Sequence, residues 1–375
     1  MGKRTETAII NEGEIALQIA ETIIRASAPT SDGIAVWEDL IENIPGVTRL
    51  TARDYSLLSA LLQTHPNEDS YLSSPTYYLF TGRKGLWRYT SVDGDVLFCW
   101  HPNKSGHVLV FPPSDPACFQ AIRSLLQVLP QPPSGLSLAR VKSGDALSNI
   151  AGTMGASLHR SIKFTPVCET VLDWRFPVRI LSTALVKRAA GNKFRNVRKG
   201  LIHMQPHDVR AEKLDINIHA QDVNILLHRW ASAVSTTKEE YAELYETYDS
   251  LFGLTRNNTC SVEGLVFYVD GKIEAASLWD ISQCPPKTAN LFGNFGSINI
   301  KGLADFVMVY ICGYLSDKGI DFLNLGGSEI PSLDFFKSKF RPTTSIDLMS
   351  IDIKLSDAPV LTGQNESSNA KTNYA

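Results

Sequence analysis

Ile320-Asp-Phe-Leu-Asn324-Leu-Gly326-Gly327-Ser-Glu329-Ile-Pro-Ser-Leu-Asp-Phe-Phe-Lys337-Ser-Lys-Phe-Arg341-Pro342 joins an apolar strand to two glycines and a lysine-bearing segment, the pattern of an α/β sheet. An apolar strand runs from Ile320 and ends in two glycines, which let backbone approach a neighbour or ligand closely. Polar residues follow where the carboxyl end of a strand opens into a crevice, the usual ligand position in α/β sheets. Lys337, Lys339 and Arg341 return positive charge two to three turns later. A plain glycine turn followed by surface lysines fits the same residues. Just upstream, Gly302 to Ser316 has the spacing of a long helix, ended by Lys318-Gly319.

Working outward, Leu265 to Val269, the turn Asp270-Gly271 and Ile273 to Trp279 read as a β-hairpin, with a further strand around Asn290 to Phe295. Leu181 to His203, Val223 to Ala233 and Lys238 to Leu251 read as helices ahead of it. The first half runs in the same order. Ile15 to Arg25 and Asp54 to Leu62 have helical spacing. Tyr77 to Phe80, Leu86 to Tyr89, Val96 to Trp100 and His107 to Phe111 are short, aromatic and β-branched, and read as antiparallel strands. A helix from Phe119 to Leu129 and a strand from Leu136 to Val141 follow. Helices, hairpins, a helix and a strand thus occur twice. The expected class is α/β with mixed (α+β) sheets, in two units of similar topology. The expected boundaries are 1–165 and 166–356, joined near 150–175, with a disordered tail at 357–375.

Composition limits the function. The chain has 375 residues, and 36 basic against 39 acidic side chains give a formal net charge of −3. A protein that coats nucleic acid would be far more basic, so any such contact must be a local patch. The apolar run Phe306 to Leu315 is about half of the roughly 20 residues a membrane span needs. The beginning, with Glu12, Glu14 and Glu21, is too acidic for a signal or transit peptide. A cytoplasmic protein that is not integral to a membrane is expected. Six scattered cysteines without a CxxC pair fit reduced, mostly buried thiols. The eight histidines form no ligand spacing, since Pro206 interrupts His203 and His207, and no metal is expected.

Two more segments carry chemistry. Lys187 to Lys199 holds six positive charges and no acid, and helical spacing groups Arg188, Arg195 and Lys199, with Arg198 adjacent. Such a face attracts phosphates, although solvated basic helices are common. Asn294 to Asp305 joins a strand, a polar loop with Lys301, and a helix start at Gly302, where free N–H groups favour anions. With so few glycines, that loop is poorly equipped for coenzyme A. There is no Gly-x-Ser-x-Gly, P-loop or His-Glu-x-x-His.

In order, the segments Lys193 to Lys199, Val269 to Ser277, Ser297 to Leu303, Phe322 to Glu329 and Leu333 to Pro342 resemble the C-terminal domain of phosphatidylglycerol lysyltransferases, the DUF2156 family. They are also similar to the Fem-type peptidyl transferases of cell-wall synthesis. The resemblance covers residues 165–350 best. It implies two tandem acetyltransferase-like (GNAT) domains, the first of them degenerate. It also implies transfer of an aminoacyl group from aminoacyl-tRNA to an amine or hydroxyl of a soluble or lipid acceptor, with no further cofactor.

By the same resemblance, Lys193, Arg195, Arg198 and Lys199 would face phosphate, and Asn294, Lys301, Gly326, Gly327 and Arg341 would line the substrate. Asn324 matches the strand-end position, Glu329 sits in the adjacent loop and Lys337 matches the lysine before the closing Pro342, and these three would be the catalytic residues. Lys337 or Arg341 would stabilise the developing oxyanion, and Glu329 would take the acceptor's proton. Two alternatives stand beside this reading: an acyl-CoA-dependent N-acyltransferase, and a non-catalytic binding module on the same fold.

Overall fold

The computed structural model describes residues 31–63, 69–112, 119–142, 160–167, 176–256, 260–282 and 286–357. The helix expected at Ile15 to Arg25, the tail beyond 357, and Cys118, Cys168 and Cys284 lie outside the described residues. Among the described residues Cys99, Cys260 and Cys312 are buried.

The first half opens with α1 (Ser31–Glu42), β1 (Val47–Leu50) and α2 (Tyr55–Gln63), then a 3-10 turn (Ser70–Ser73) and α3 (Pro75–Thr81). β2 (Leu86–Ser91), β3 (Gly94–Trp100), β4 (His107–Val110), α4 (Phe119–Val128), β5 (Gly135–Lys142) and β6 (Arg160–Val167) follow. The second half opens with β7 (Val178–Ser182), α5 (Thr183–Arg188), α6 (Arg195–Met204) and β8 (Val209–Lys213). Then come α7 (Ile216–Val234), α8 (Lys238–Arg256), β9 (Glu263–Val269), β10 (Lys272–Ser282), β11 (Thr288–Gly296), α9 (Leu303–Asp317), β12 (Phe322–Asn324), α10 (Pro331–Ser338), β13 (Thr344–Ile346) and β14 (Leu348–Asp357).

Two seven-stranded mixed sheets result, ordered β1-β2-β3-β4-β5-β14-β6 and β8-β9-β10-β11-β12-β7-β13. Both show one pattern: three antiparallel steps, one parallel step, then two antiparallel steps. In each, one helix makes the crossover between the parallel pair, α4 from β4 to β5 and α9 from β11 to β12. Two helices also separate the first strand from the second in both halves. The duplication is therefore a duplication of topology. The sixth position breaks chain order: β7 fills it in the second sheet, whereas β14, the last strand described, fills it in the first.

The cores follow from this layering. In the first half α1 and α4 cover one sheet face with Trp37, Ile122, Leu125 and Leu126 against Trp87, Phe98, Trp100 and Ile351. In the second half α9 lays Val307, Ile311 and Leu315 against Leu265, Phe267 and Trp279. A third cluster joins the halves, with Tyr71, Tyr77, Tyr78 and Phe111 packed with Leu254, Cys260 and Phe292.

Two sequence expectations are corrected. Tyr77 to Phe80 is helical, within α3. Ser74 caps that helix, its Oγ accepting the Tyr77 N–H at 3.0 Å, and Pro75 opens the first turn. Because α3 is buried on nearly all sides, it shows no amphipathic period to separate it from a strand. Leu181 to His203 is not one helix. It divides into the end of β7, then α5, a break and α6. Ala189 (φ 43°) and Gly191 (φ 78°) turn left-handed at the break, which stops the α-helical ladder.

Candidate functional site

β11 and β12 pair in parallel only from Thr288/Phe322 to Asn290/Asn324, and then diverge. The gap beyond begins at the carboxyl end of β12 and only three residues into β11. The chain itself enters it. The 3-10 turn Ser70–Ser73 places Ser70 Oγ 2.6 Å from Asn290 Oδ1 and 3.0 Å from Asn324 Nδ2, and the Tyr71 hydroxyl donates to Leu291 O at 2.5 Å. Tyr71 also meets Phe292 edge-on.

Past β12 the backbone forms the turn Leu325-Gly326-Gly327. Gly326 has φ 66°, a conformation that suits glycine. Its N–H donates to Asn324 Oδ1 at 2.9 Å. The Lys337 ammonium, carried by α10, donates to Leu325 O at 2.8 Å and to Gly327 O. α10 is fixed in turn by a forked pair, Arg179 Nε and Nη2 to the two Asp334 oxygens at 2.9 and 3.1 Å. Burial pulls the Lys337 pKa down to about 8, against the opposing pull of the Glu329 and Asp334 carboxylates. Glu329 is exposed, and it acts electrostatically on both Lys337 and the Tyr248 hydroxyl, whose pKa burial pushes up. The structure thus gathers Asn324, Gly326, Gly327, Glu329 and Lys337 at one strand end. A lysine ammonium here is a preformed cation with a pKa close to neutral pH.

The basic segment lies just past the same, carboxyl end of α10. Arg341 Nε donates to Lys193 O at 3.1 Å, so Arg341 and Lys193 meet. Lys193, Arg195 and Lys199 are exposed. Arg198 turns inward instead and donates to Ala189 O and Gly191 O, both at 2.7 Å, capping the end of α5. Lys187 pairs with Asp317 of α9. The single face expected for Arg188, Arg195 and Lys199 is interrupted by the break at Ala189–Gly191. Lys301 is exposed beside the same segment, because Gly302 packs against the Gly200 carbonyl. Asn294 is tied internally: its Oδ1 accepts from Ser277 Oγ at 2.8 Å and its Nδ2 lies 3.4 Å from Met308 Sδ.

The start of α9 does not present an open anion site. Asp305 sits buried in its first turn, paired with Lys339 and pressed on Gly200. A carboxylate there already meets the helix's positive end and repels a second anion.

Sequence reasoning missed the residues behind the turn. Arg140 is fully buried and donates from Nε (2.8 Å) and Nη2 to Asp69 Oδ2, while Asp69 Oδ1 accepts from Asn324 Nδ2 at 3.2 Å. Asp280 accepts from Ser74 Oγ and, at 2.9 Å, from Asn290 Nδ2. Burial lifts the Asp280 pKa to about 6. These residues are distant in sequence, so no local spacing marks them. A charged residue inside an apolar strand, Arg140 in Leu136 to Val141, was the one available signal.

No family model and no curated protein matches the sequence. Solved structures do match. A conserved protein of unknown function from Bacteroides thetaiotaomicron VPI-5482 superposes with TM-score 0.62 at 15% identity, over 83% of this chain and 100% of that one. FemX gives TM-score 0.53 at 13% identity, over 82% of this chain and 96% of that one. The C-terminal DUF2156 domain of a protein from Agrobacterium fabrum named lysylphosphatidylglycerol synthetase gives 0.51 at 13%, over 80% of this chain and 92% of that one. Paired topologies and near-complete coverage of these structures make this chain a tandem acetyltransferase-like fold, the fold shared by FemX and the DUF2156 domain.

Proposed function

We propose that this protein is an acyltransferase of the aminoacyl-tRNA-dependent type, acting on an amine or hydroxyl acceptor. The observation that carries this is the Lys337 ammonium, fixed by Leu325 O and Gly327 O at the carboxyl end of β12 beside Glu329. An aminoacyl ester is already activated and needs no enzyme nucleophile. The acceptor attacks the ester carbonyl, a C–N or C–O bond forms, and the bond to the tRNA ribose oxygen breaks. Lys337 stabilises the oxyanion, Glu329 takes the acceptor proton, and the leaving ribose oxygen is protonated in turn. The exposed Lys193, Arg195, Lys199, Lys301 and Arg341 offer phosphate contacts for the tRNA end. The names of FemX and of the lysylphosphatidylglycerol synthetase domain support transfer chemistry on this fold. Asp305 at the first turn of α9 weighs against a pyrophosphate there, and so against an acyl-CoA donor.

The test is a gel shift of the purified protein with aminoacylated tRNA at several salt concentrations, with an acetyl-CoA thermal shift alongside. Salt-sensitive tRNA binding without a coenzyme A shift is expected. A coenzyme A shift without tRNA binding overturns the proposal.

A further inference from the structure

The last parallel pair is Val110/Leu138 in the first sheet and Asn290/Asn324 in the second. Two residues beyond it stand Arg140 in one half and Gly326 in the other, and both are left-handed, at φ 52° and 66°. Arg140 therefore occupies the first half's counterpart of the site turn. It sits at a bulge, where the register of β5 with β14 shifts between Met349 and Ile351. Its guanidinium does not line a crevice of its own. It lies within 5.1 Å of the Tyr71 and Tyr77 ring centroids and holds Asp69, whose second oxygen reaches across to Asn324.

We propose that Asp69 and Arg140, supplied by the first half, are positioning residues for the second half's site: through Asn324 they fix the Gly326–Gly327 turn that holds the Lys337 ammonium. Each link is a contact in the structure. Arg140 donates to Asp69, Asp69 accepts from Asn324 Nδ2, and Asn324 Oδ1 accepts the Gly326 N–H. The carbonyls on either side of Gly326 then receive Lys337 Nζ. A buried carboxylate is costly unless paired, so the Arg140 guanidinium is what allows Asp69 to be there. An arginine in a left-handed position is unfavourable, and here it is the conformation in which the side chain reaches Asp69. The degenerate half thereby serves the other half's chemistry. The inference rests on the reading of Lys337 as the oxyanion-stabilising cation.

The test reads Lys337 without needing a substrate. Its side-chain ¹³Cε signal is titrated by NMR, assigned by its loss in Lys337→Arg, in the wild type, Asp69→Asn and Asn324→Ala. Glu329, Asp334 and Arg179 face Lys337 in every variant, so their influence is held constant. Loosening the turn admits water, and the midpoint of the Lys337 titration is expected to rise by about one pH unit or more in both variants. In Ser124→Ala, whose hydroxyl bonds Asp93 and none of the relay residues, it should stay as in the wild type. If Asp69→Asn does not fold, Asn324→Ala decides. An unmoved titration in a folded Asn324→Ala protein overturns the proposal, however much the melting temperature falls. Aminoacyl transfer by Lys337→Met is scored separately: loss of transfer supports the reading of Lys337, and retained transfer removes that reading while the titration still decides the relay.

Discussion

Lys337 and Asp280 are the two side chains whose surroundings most directly predict behaviour. With the Lys337 pKa near 8, the cation is lost as pH rises past that value. If positive charge is what Lys337 supplies, the turnover rate falls above about pH 8. Lys337→Arg, whose charge persists, should move that fall to higher pH at a rate reduced about tenfold or more. A kcat profile from pH 6 to 10 checks this, and a rate that rises through pH 8 would assign Lys337 the role of base. Asp280 is displaced upward, the reverse of a carboxylate held by a cation. Its folded pKa, about 6, lies above the ordinary 3.8, so the folded state holds the proton more tightly. That contribution is present below about pH 4 and is lost as pH rises through 6. Asp280→Asn keeps an acceptor for Asn290 and removes the buried charge. Relative to the wild type, the variant should gain about 2 kcal/mol between pH 4 and pH 7, because each tenfold difference in proton affinity between folded and unfolded chains is worth roughly 1.4 kcal/mol. Chemical denaturation at both pH values measures the gain, and an equal offset at both would contradict the burial of a charged Asp280.

At the scale of elements, the close crossing of α6 over the start of α9 is the tightest constraint beside the site. A Cβ at Gly302 would strike the Gly200 carbonyl, at a backbone φ of 88° that disfavours any side chain. A Cβ at Gly200 would meet the Asp305 carboxylate. Gly302→Ala is expected to cost about 2–4 kcal/mol and Gly200→Ala about 1–3. Thermal unfolding of the two proteins ranks them, and wild-type stability in Gly302→Ala would show that the crossing is looser than described. The exposed basic residues form a patch rather than a helix face. Arg195→Glu with Lys199→Glu should weaken tRNA binding and flatten its dependence on salt, whereas Lys187→Glu, which removes a partner of Asp317, should change binding less. Equal losses from both would mean that the contact extends over α5.

For the whole molecule, β14 is the decisive strand. It lies between β5 and β6 and brings Ile351 and Ile353 into the first core with Trp87, Phe98 and Trp100. A protein ended after residue 347 should lose the first sheet, seen as loss of near-ultraviolet dichroism from its tryptophans. It should lose the Arg140-to-Asn324 link as well. Unchanged dichroism and melting would show that β14 is dispensable. Among the described residues no helix is long and apolar enough to cross a membrane.

Local spacing announces most of the elements, among them the strand that ends at Asn324. The apolar runs on either side of Asp270-Gly271 and a 3.6-residue period at Phe119 to Leu129 are local signals, and Asn324 to Arg341 announced a strand end with glycines and lysines. α3 escaped, because a helix buried on all sides has no polar face to set its period. The division of Leu181 to His203 escaped, because Ala189 adopts a left-handed turn that its composition does not signal. The partnership of residues far apart in the chain exists only in the folded molecule: Arg140 with Asp69, Asp69 with Asn324, and β14 with β5 and β6. Periodicity records which face of an element is buried. It does not record what is buried against it, and a buried charge is stabilised by its partner, which the fold alone supplies.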